Sequence, residues 1–429
     1  MIHERPALER RVLLALDAVP PRIPVIVGGC GSGRTSMLQR LSGLLGDGRG
    51  HYVDAERVAS TPERFFAALM GGAEEEATDR RPFAESSRAA FERCLARVAQ
   101  WSSNGRDGSV LLLDEVLELR TLESFPGLRG VLREFLDALA RSPGRFVLTS
   151  RYVRRTERLL ADLPGRFEIL HLPPLTRGEV AGALRRHAVG RTETERAELA
   201  GIVHALGEGR PGYVTALAAG LAAPDGAGAG DPVGTLAAAM APGEPLHALC
   251  RFSHELRLHR ARGYGALKGI LAVLADEEPL TLTEVAHRLG RTPGSTRDYL
   301  AWLEDVDLVK AHRKRYRYVD AMLRLWVRLH CRPAPPDARD LAREAQDYAA
   351  RRLARADAAS LAAGAPESAT EARAAERELS PHAAEAPTPA AEAPAPEPAA
   401  PASVGEVPVP EPEAPRAPPR RTWGLIEID

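Results

Sequence analysis

Residues 25–36 read Val-Ile-Val-Gly-Gly-Cys-Gly-Ser-Gly-Arg-Thr-Ser: an apolar, β-branched run that breaks into a glycine-rich turn and then into helix-forming sequence. Glycines at 28, 29, 31 and 33 let successive backbone N–H groups converge on one point, and the N-terminus of the following helix adds its positive dipole end. The spacing is that of the G-x-x-x-x-G-K-[ST] phosphate-binding loop, with Arg34 in the lysine position. A glycine-rich surface turn has the same composition, so the surrounding sequence has to decide. Read as a phosphate loop, it places nucleotide phosphates on Gly28, Gly31, Gly33, Arg34, Thr35 and Ser36, with the Thr35 hydroxyl on Mg²⁺. Arg34 keeps the charge but exchanges a compact ammonium for a bulkier planar fork. The expectation is that binding of a nucleoside triphosphate survives and its hydrolysis slows.

Two more apolar runs end in polar residues suited to such a loop. Residues 110–113 are Val-Leu-Leu-Leu and run into Asp114-Glu115, as a buried parallel strand does when it delivers carboxylates to the sheet's carboxyl edge. Asp114 is expected to hold Mg²⁺ through water and Glu115 to act as general base on the attacking water. Residues 146–148, Phe-Val-Leu, run into Thr149-Ser150-Arg151, which places Arg151 where a terminal phosphate can be sensed. Further strands are read at 50–54 and 167–172. Thr61-Pro62 opens a helix carrying Phe65, Phe66 and Leu69, and Leu8, Val12, Leu16 and Val19 mark a leading amphipathic helix. Repeated strand-helix alternation predicts a five-stranded parallel sheet with helices on both faces and its ligand crevice outside the strands' carboxyl ends.

After residue 172 the pattern becomes helical. Thr176 with Glu179 forms a capping box, and Gly209-Arg210-Pro211 makes a tight turn between helices. Residues 224–232 read as a flexible insertion without chemistry. Beyond them, residues 263–274 form one helix, Thr283 caps a second, Thr292-Pro293 opens a third, and two short strands at 308–310 and 315–319 close a winged helix-turn-helix. A last Arg- and Ala-rich helix runs from Leu341 to about Ala363. The Pro-, Ala- and Glu-rich remainder holds too few bulky apolar groups to order itself.

Taken together, the loop, the Asp-Glu strand, the Thr-Ser-Arg strand end, the Gly-x-Pro turn and the Tyr318-x-Asp320-x₅-Trp326 ending resemble the STAND/AAA+ P-loop ATPases, close to the archaeal-type ATPase family with a C-terminal winged helix. The resemblance covers roughly residues 8–332. It implies an α/β P-loop NTPase core of ASCE type at 1–172, a helical lid at 173–260 whose Pro211 contacts the adenine, and a winged helix at 261–332; composition adds a terminal helix at 333–363 and a disordered tail at 364–429. It also implies ATP and Mg²⁺ as cofactors, Asp114 and Thr35 on the metal, Glu115 and Arg151 in catalysis, and a nucleotide-dependent switch of a kind that often assembles as a homo-oligomer. The alternative is a non-hydrolysing nucleotide-binding scaffold or a DNA-binding regulator.

Composition narrows the partners. A formal charge of −1 gives no global attraction to nucleic acid or to anionic membranes, so any such contact must be local. The wing offers Lys310, His312, Arg313, Lys314 and Arg315 to DNA phosphates, and the third helix offers Ser295, Thr296 and Arg297 near its start. Asp298, Glu304, Asp305 and Asp307 instead favour docking onto protein. Four cysteines without C-x-x-C spacing argue against a zinc site or a disulfide framework and fit a cytoplasmic protein. No apolar run reaches the ~20 residues of a membrane span. Lysine is nearly absent, with only Lys268, Lys310 and Lys314 among 57 basic residues, so Arg34 also fits a general replacement of lysine by arginine. The chain ends in Trp-Gly-Leu-Ile-Glu-Ile-Asp, an alternating tip suited to strand addition on an unknown protein partner.

Overall fold

The computed structural model describes residues 5–364 apart from 47, 72–85, 102–108, 164, 224–229 and 260–262, with the backbone alone for 359–364. Five strands form the first sheet: β1 (Ile23–Val27), β2 (Gly50–Asp54), β3 (Val110–Asp114), β4 (Arg145–Ser150) and β5 (Phe167–His171). Every pairing is parallel, and the order is β2-β3-β4-β1-β5. Because β4 lies between β1 and β3, its carboxyl end stands between the glycine loop and Asp114. Register aligns these ends: Val27 lies beside Ser150, and Asp54 beside Asp114.

All residues of β1 and β3 are buried, which explains their unbroken apolar runs. Alternation then sends them to opposite faces. Val25, Val27, Leu111 and Leu113 join Phe65, Phe91, Phe135 and Phe146 on one side, and Ile26 and Leu112 join Val12, Leu16, Leu38 and Leu41 on the other. The leading helix, Pro6–Asp17, supplies Val12 and Leu16 but not Val19, which lies beyond its end and is fully exposed. Ala18 is already extended there, and a residue before proline, as Val19 is, disfavours helix.

Four helices follow the capping box of Thr176 and Glu179 and its helix Arg177–Arg186: Glu193–Gly207, Pro211–Ala222, Pro232–Ala239 and Pro245–Leu258. Most of the 224–232 insertion lies outside the described residues; Asp231 caps the next helix. Helices Tyr264–Asp276, Leu282–Arg288 and Pro293–Asp305 then combine with β6 (Leu280–Thr281), β7 (Val309–His312) and β8 (Arg315–Tyr318), whose antiparallel sheet has the order β6-β8-β7. This is the element order of a winged helix-turn-helix. The cap of its second helix is Thr281, not Thr283: only from position 281 does a glutamate, Glu284, fall three residues on, and both halves of that capping box form. Helices Ala321–His330 and Ala338–Gly364 complete the described chain, the latter starting three residues earlier than expected. The acidic tail and the C-terminal tip lie outside the described residues. No described helix is long and apolar enough to cross a membrane.

Candidate functional site

The glycine loop joins β1 to the Arg34–Leu45 helix, which opens at Gly33 with φ 91° and no side-chain cap. A residue with a Cβ is strained at that angle, and an uncapped N-terminus leaves its N–H groups for an anion. The Gly-x-Pro turn presses directly on this loop. Gly212 N donates to Gly31 O at 2.9 Å, and the Pro211 ring comes to 3.6 Å of where a Cβ on Gly33 would stand. The turn that sequence assigned to the lid therefore meets the loop that it assigned to phosphate.

Arg34 is buried and folds back on its own loop. Its Nη1 donates to the carbonyls of Gly28 and Gly29 and to Ser32 Oγ at 3.1 Å, while Nε and Nη2 donate to Glu115 Oε1 at 3.2 and 2.5 Å. Glu115 is held from its other side too. Its Oε2 accepts from Arg151 N at 3.1 Å and pairs with Arg151 Nε at 2.9 Å, and the far end of Arg151 pairs with Glu56. Burial pushes the Glu115 carboxyl up, but Arg34 and Arg151 together hold it below the ordinary carboxylate range. Its backbone is left-handed, φ 54°, and its N–H donates to Thr149 Oγ1 at 2.9 Å. Such an outlier persists only where surroundings over-determine it, here two arginines and a threonine.

Asp114 gathers three hydroxyls. Oδ2 accepts from Thr35 Oγ1 at 2.7 Å and from Tyr52 OH at 3.0 Å, and Oδ1 accepts from Thr149. Burial and the Asp114 carboxylate raise the Tyr52 phenol above its usual range, so it stays a donor. Thr35 and Asp114 thus present hard oxygens side by side, as Mg²⁺ requires. Among the described residues no group of three or more His, Cys, Asp or Glu could hold a metal. A cation here therefore takes its remaining ligands from phosphate and water, the usual habit of Mg²⁺. The cavity over these residues measures about 210 Å³, below the ~300–1,000 Å³ of typical ligand pockets. Leu249, Tyr213 and the exposed Phe252 form its apolar side.

Three connections lead away from the loop. Arg210, the middle residue of the turn, pairs with Asp320 at 2.9 Å, and Tyr213 OH donates to the same carboxylate at 2.8 Å. Asp320 also caps the Ala321–His330 helix. Arg257 reaches Cys30 Sγ at 3.7 Å and the Asp307 carbonyl at 3.0 Å. Finally, the Val153–Ala161 helix, which starts two residues after Arg151, is clamped to the Pro293–Asp305 helix: Arg154 pairs with Glu304 at 2.9 Å, Arg155 with Asp305 at 2.7 Å, and Arg158 with Asp305.

Gly28, Gly31, Gly33, Arg34, Thr35, Asp114, Glu115, Arg151 and Pro211 accordingly converge, and Ser36 follows in the first turn of the loop helix. Sequence reasoning missed Tyr52, Glu56 and Arg257 and gave no role to Thr149, Arg210 or Asp320. The last three stood inside motifs already noted; Tyr52 and Glu56 were findable only as neighbours of another strand's carboxyl end. The recognition-helix reading is corrected at one residue. Thr296 is fully buried, its hydroxyl bonded to Thr292 O at 3.0 Å, so only Ser295 and Arg297 are exposed there. On the wing, Arg313 and Lys314 are exposed, whereas Arg315 pairs with Glu284 at 3.5 Å.

No family model matches the chain, and no curated relative matches it. Among solved structures it is similar to the Walker-type ATPase PABY2304 of Pyrococcus abyssi, at 18% identity and a TM-score of 0.55, over 76% of this chain and 96% of that one. It is also similar to the Aeropyrum pernix Orc1 protein solved in complex with DNA, at 18% identity and a TM-score of 0.36, over 76% of this chain and 92% of that one. A third likeness is to the STAND protein PH0952 of Pyrococcus horikoshii, at 15% identity and a TM-score of 0.28, over 75% of this chain and 42% of that one. The chain shares the fold of that Walker-type ATPase, a P-loop core on a five-stranded parallel sheet.

Proposed function

From that fold and this site we propose that the protein is an ATP-binding P-loop ATPase of STAND/AAA+ type, a nucleotide-dependent switch that hydrolyses slowly. In this reading residues 1–172 are the ATPase core, 173–260 the lid, 261–332 the winged helix and 333–363 a terminal helix. The observation that carries it is the double hold on Glu115: Arg34 of the phosphate loop on one oxygen and Arg151, at the root of the helix clamped to the winged helix, on the other.

The residues suggest how the site works. Phosphates are taken by the backbone N–H groups of the loop and by Arg34, which exchanges the Gly28 and Gly29 carbonyls and Glu115 for phosphate oxygens in charge-assisted bonds. Thr35 and Asp114 hold Mg²⁺, which when bound neutralises charge on the phosphates. Once Arg34 turns away, Glu115 Oε1 is free to accept a proton from water while Arg151 keeps Oε2 in place. For as long as Arg34 stays paired, the same carboxylate is a weak base, and turnover is slow. Because Arg151 keeps its pair with Glu115, any shift of that carboxylate when Arg34 leaves would pass to the root of the Val153–Ala161 helix, the element gripping Glu304 and Asp305.

A second reading, a nucleotide-binding scaffold or DNA-binding regulator without turnover, is favoured by Arg34 itself. Calorimetric titration with ATP–Mg²⁺ tests what the two share. We expect saturable heat from the natural chain and none from Gly33→Asp, which sets a carboxylate at the anion site on a backbone suited to glycine. Equal behaviour of the two chains up to millimolar ATP would refute both readings.

A further inference from the structure

A second cavity, about 530 Å³, is lined by the helices Pro245–Leu258, Tyr264–Asp276 and Ala321–His330, away from the glycine loop. Its volume falls inside the ~300–1,000 Å³ of typical small-molecule pockets. Three histidines and a tryptophan pack together along it. The rings of His247 and His330 lie 4.6 Å apart, and those of His254 and Trp326 lie 5.1 Å apart. Two of the histidines have partners: His330 Nε2 bonds the Met240 carbonyl at 2.9 Å, and His247 Nδ1 accepts from Gly243 N at 3.1 Å.

His254 is held more loosely. It is 1% exposed, neither ring nitrogen makes a hydrogen bond, and Nδ1 stands 3.7 Å from Glu255 Oε1. The indole N–H of Trp326, equally buried, is also without a hydrogen-bond partner. Buried polar groups left unpaired are costly, and both residues line the cavity, so an occupant with polar atoms has hydrogen bonds to gain there. Burial and neighbouring cations lower the His254 pKa to about 4, so the ring is neutral at pH 7 and offers one donor and one acceptor.

The rest of the lining selects the ligand's chemistry. Arg251 and Lys268 outnumber Glu255, with Arg332 already paired to Asp276 at 3.6 Å, which favours an anion, while Leu271, Val327 and the Trp326 ring offer apolar surface to an organic body. We propose that this cavity binds a small organic carboxylate, its carboxylate toward Arg251 and Lys268, its body against Leu271 and Val327, with His254 and the Trp326 N–H completing its hydrogen bonds.

The test is calorimetric titration of the full chain with benzoate, with indole-3-acetate and with inorganic phosphate, at fixed moderate salt. Both carboxylates should saturate, and phosphate should bind at least about tenfold more weakly because it makes no use of the apolar wall. Arg251→Ala, on the exposed face of its helix, should weaken carboxylate binding about tenfold without changing thermal stability or ATP binding. His254→Leu, which keeps the volume, should weaken it further. No heat from either carboxylate at millimolar concentration, undiminished affinity in Arg251→Ala, or phosphate binding as tightly as the carboxylates would each overturn the proposal.

Discussion

At the scale of single residues, Glu115 concentrates the chemistry. If Glu115 is the general base, replacing it with glutamine removes that base while keeping its shape, so turnover should fall by about 10²–10⁴-fold. ATP affinity should hold or rise, because Arg34 loses its competing partner. Stopped-time phosphate release and calorimetry on the same variant measure the two quantities; unchanged turnover would place the base elsewhere. The same carboxylate also links stability to pH. Its folded pKa is depressed by Arg34 and Arg151, so its contribution is complete above the unfolded value of about 4.3 and disappears as pH falls through the folded one. Breaking a buried pair by removing one partner typically costs about 3–5 kcal/mol. Denaturant titrations should therefore show Glu115→Gln well below the natural chain at pH 7, with the gap closing in acid. A gap that is constant from pH 7 to pH 3 would mean that the ion pairs contribute nothing to it.

At the scale of elements, the wing shows where a local rule is broken. Arg313 and Lys314 are the two central residues of the β7–β8 hairpin, and both take positive φ, 50° and 63°. Such a two-residue turn prefers Asn-Gly, and a left-handed residue with a side chain costs about 1–2 kcal/mol. Arg313→Asn with Lys314→Gly should raise the thermal midpoint. If the wing also meets DNA phosphates, the pair should reduce the slope of log affinity against log salt by about two, at roughly 0.9 per contact. A higher midpoint with unaltered DNA binding would assign the basic tip to some other purpose. The strands themselves were readable because a buried parallel strand must be apolar throughout, and most helices because their caps are local, as at Thr61, Thr176 and Thr292. Val19 and Thr283 misled because an apolar residue at helical spacing and a threonine near a helix start are each only half of a signal.

At the scale of the whole molecule, the glycine loop, the Gly-x-Pro turn and the helices Pro293–Asp305 and Ala321–His330 are linked through a few polar residues, and these were the least legible. Asp320 is informative in sequence only as part of a spaced motif; in the fold it joins Arg210 of the turn to Tyr213 of the lid and to its own helix. Glu304 and Asp305 looked like an obstacle to DNA contact and prove to be the grip on the Val153–Ala161 helix. Such roles depend on which surfaces the fold brings face to face, and no local pattern encodes that. The proposed switch depends on one arrangement, the pairing of Arg34 in the glycine loop with Glu115, the carboxylate proposed as general base. Single-turnover hydrolysis of bound ATP, compared between the natural chain and Arg34→Lys, tests it most directly. Lysine has one compact ammonium in place of a fork that spans the Gly28 and Gly29 carbonyls and Glu115, so the variant should hydrolyse faster, by about tenfold if about 1.4 kcal/mol of that hold is relieved. A variant that binds ATP and hydrolyses it no faster than the natural chain would contradict the account.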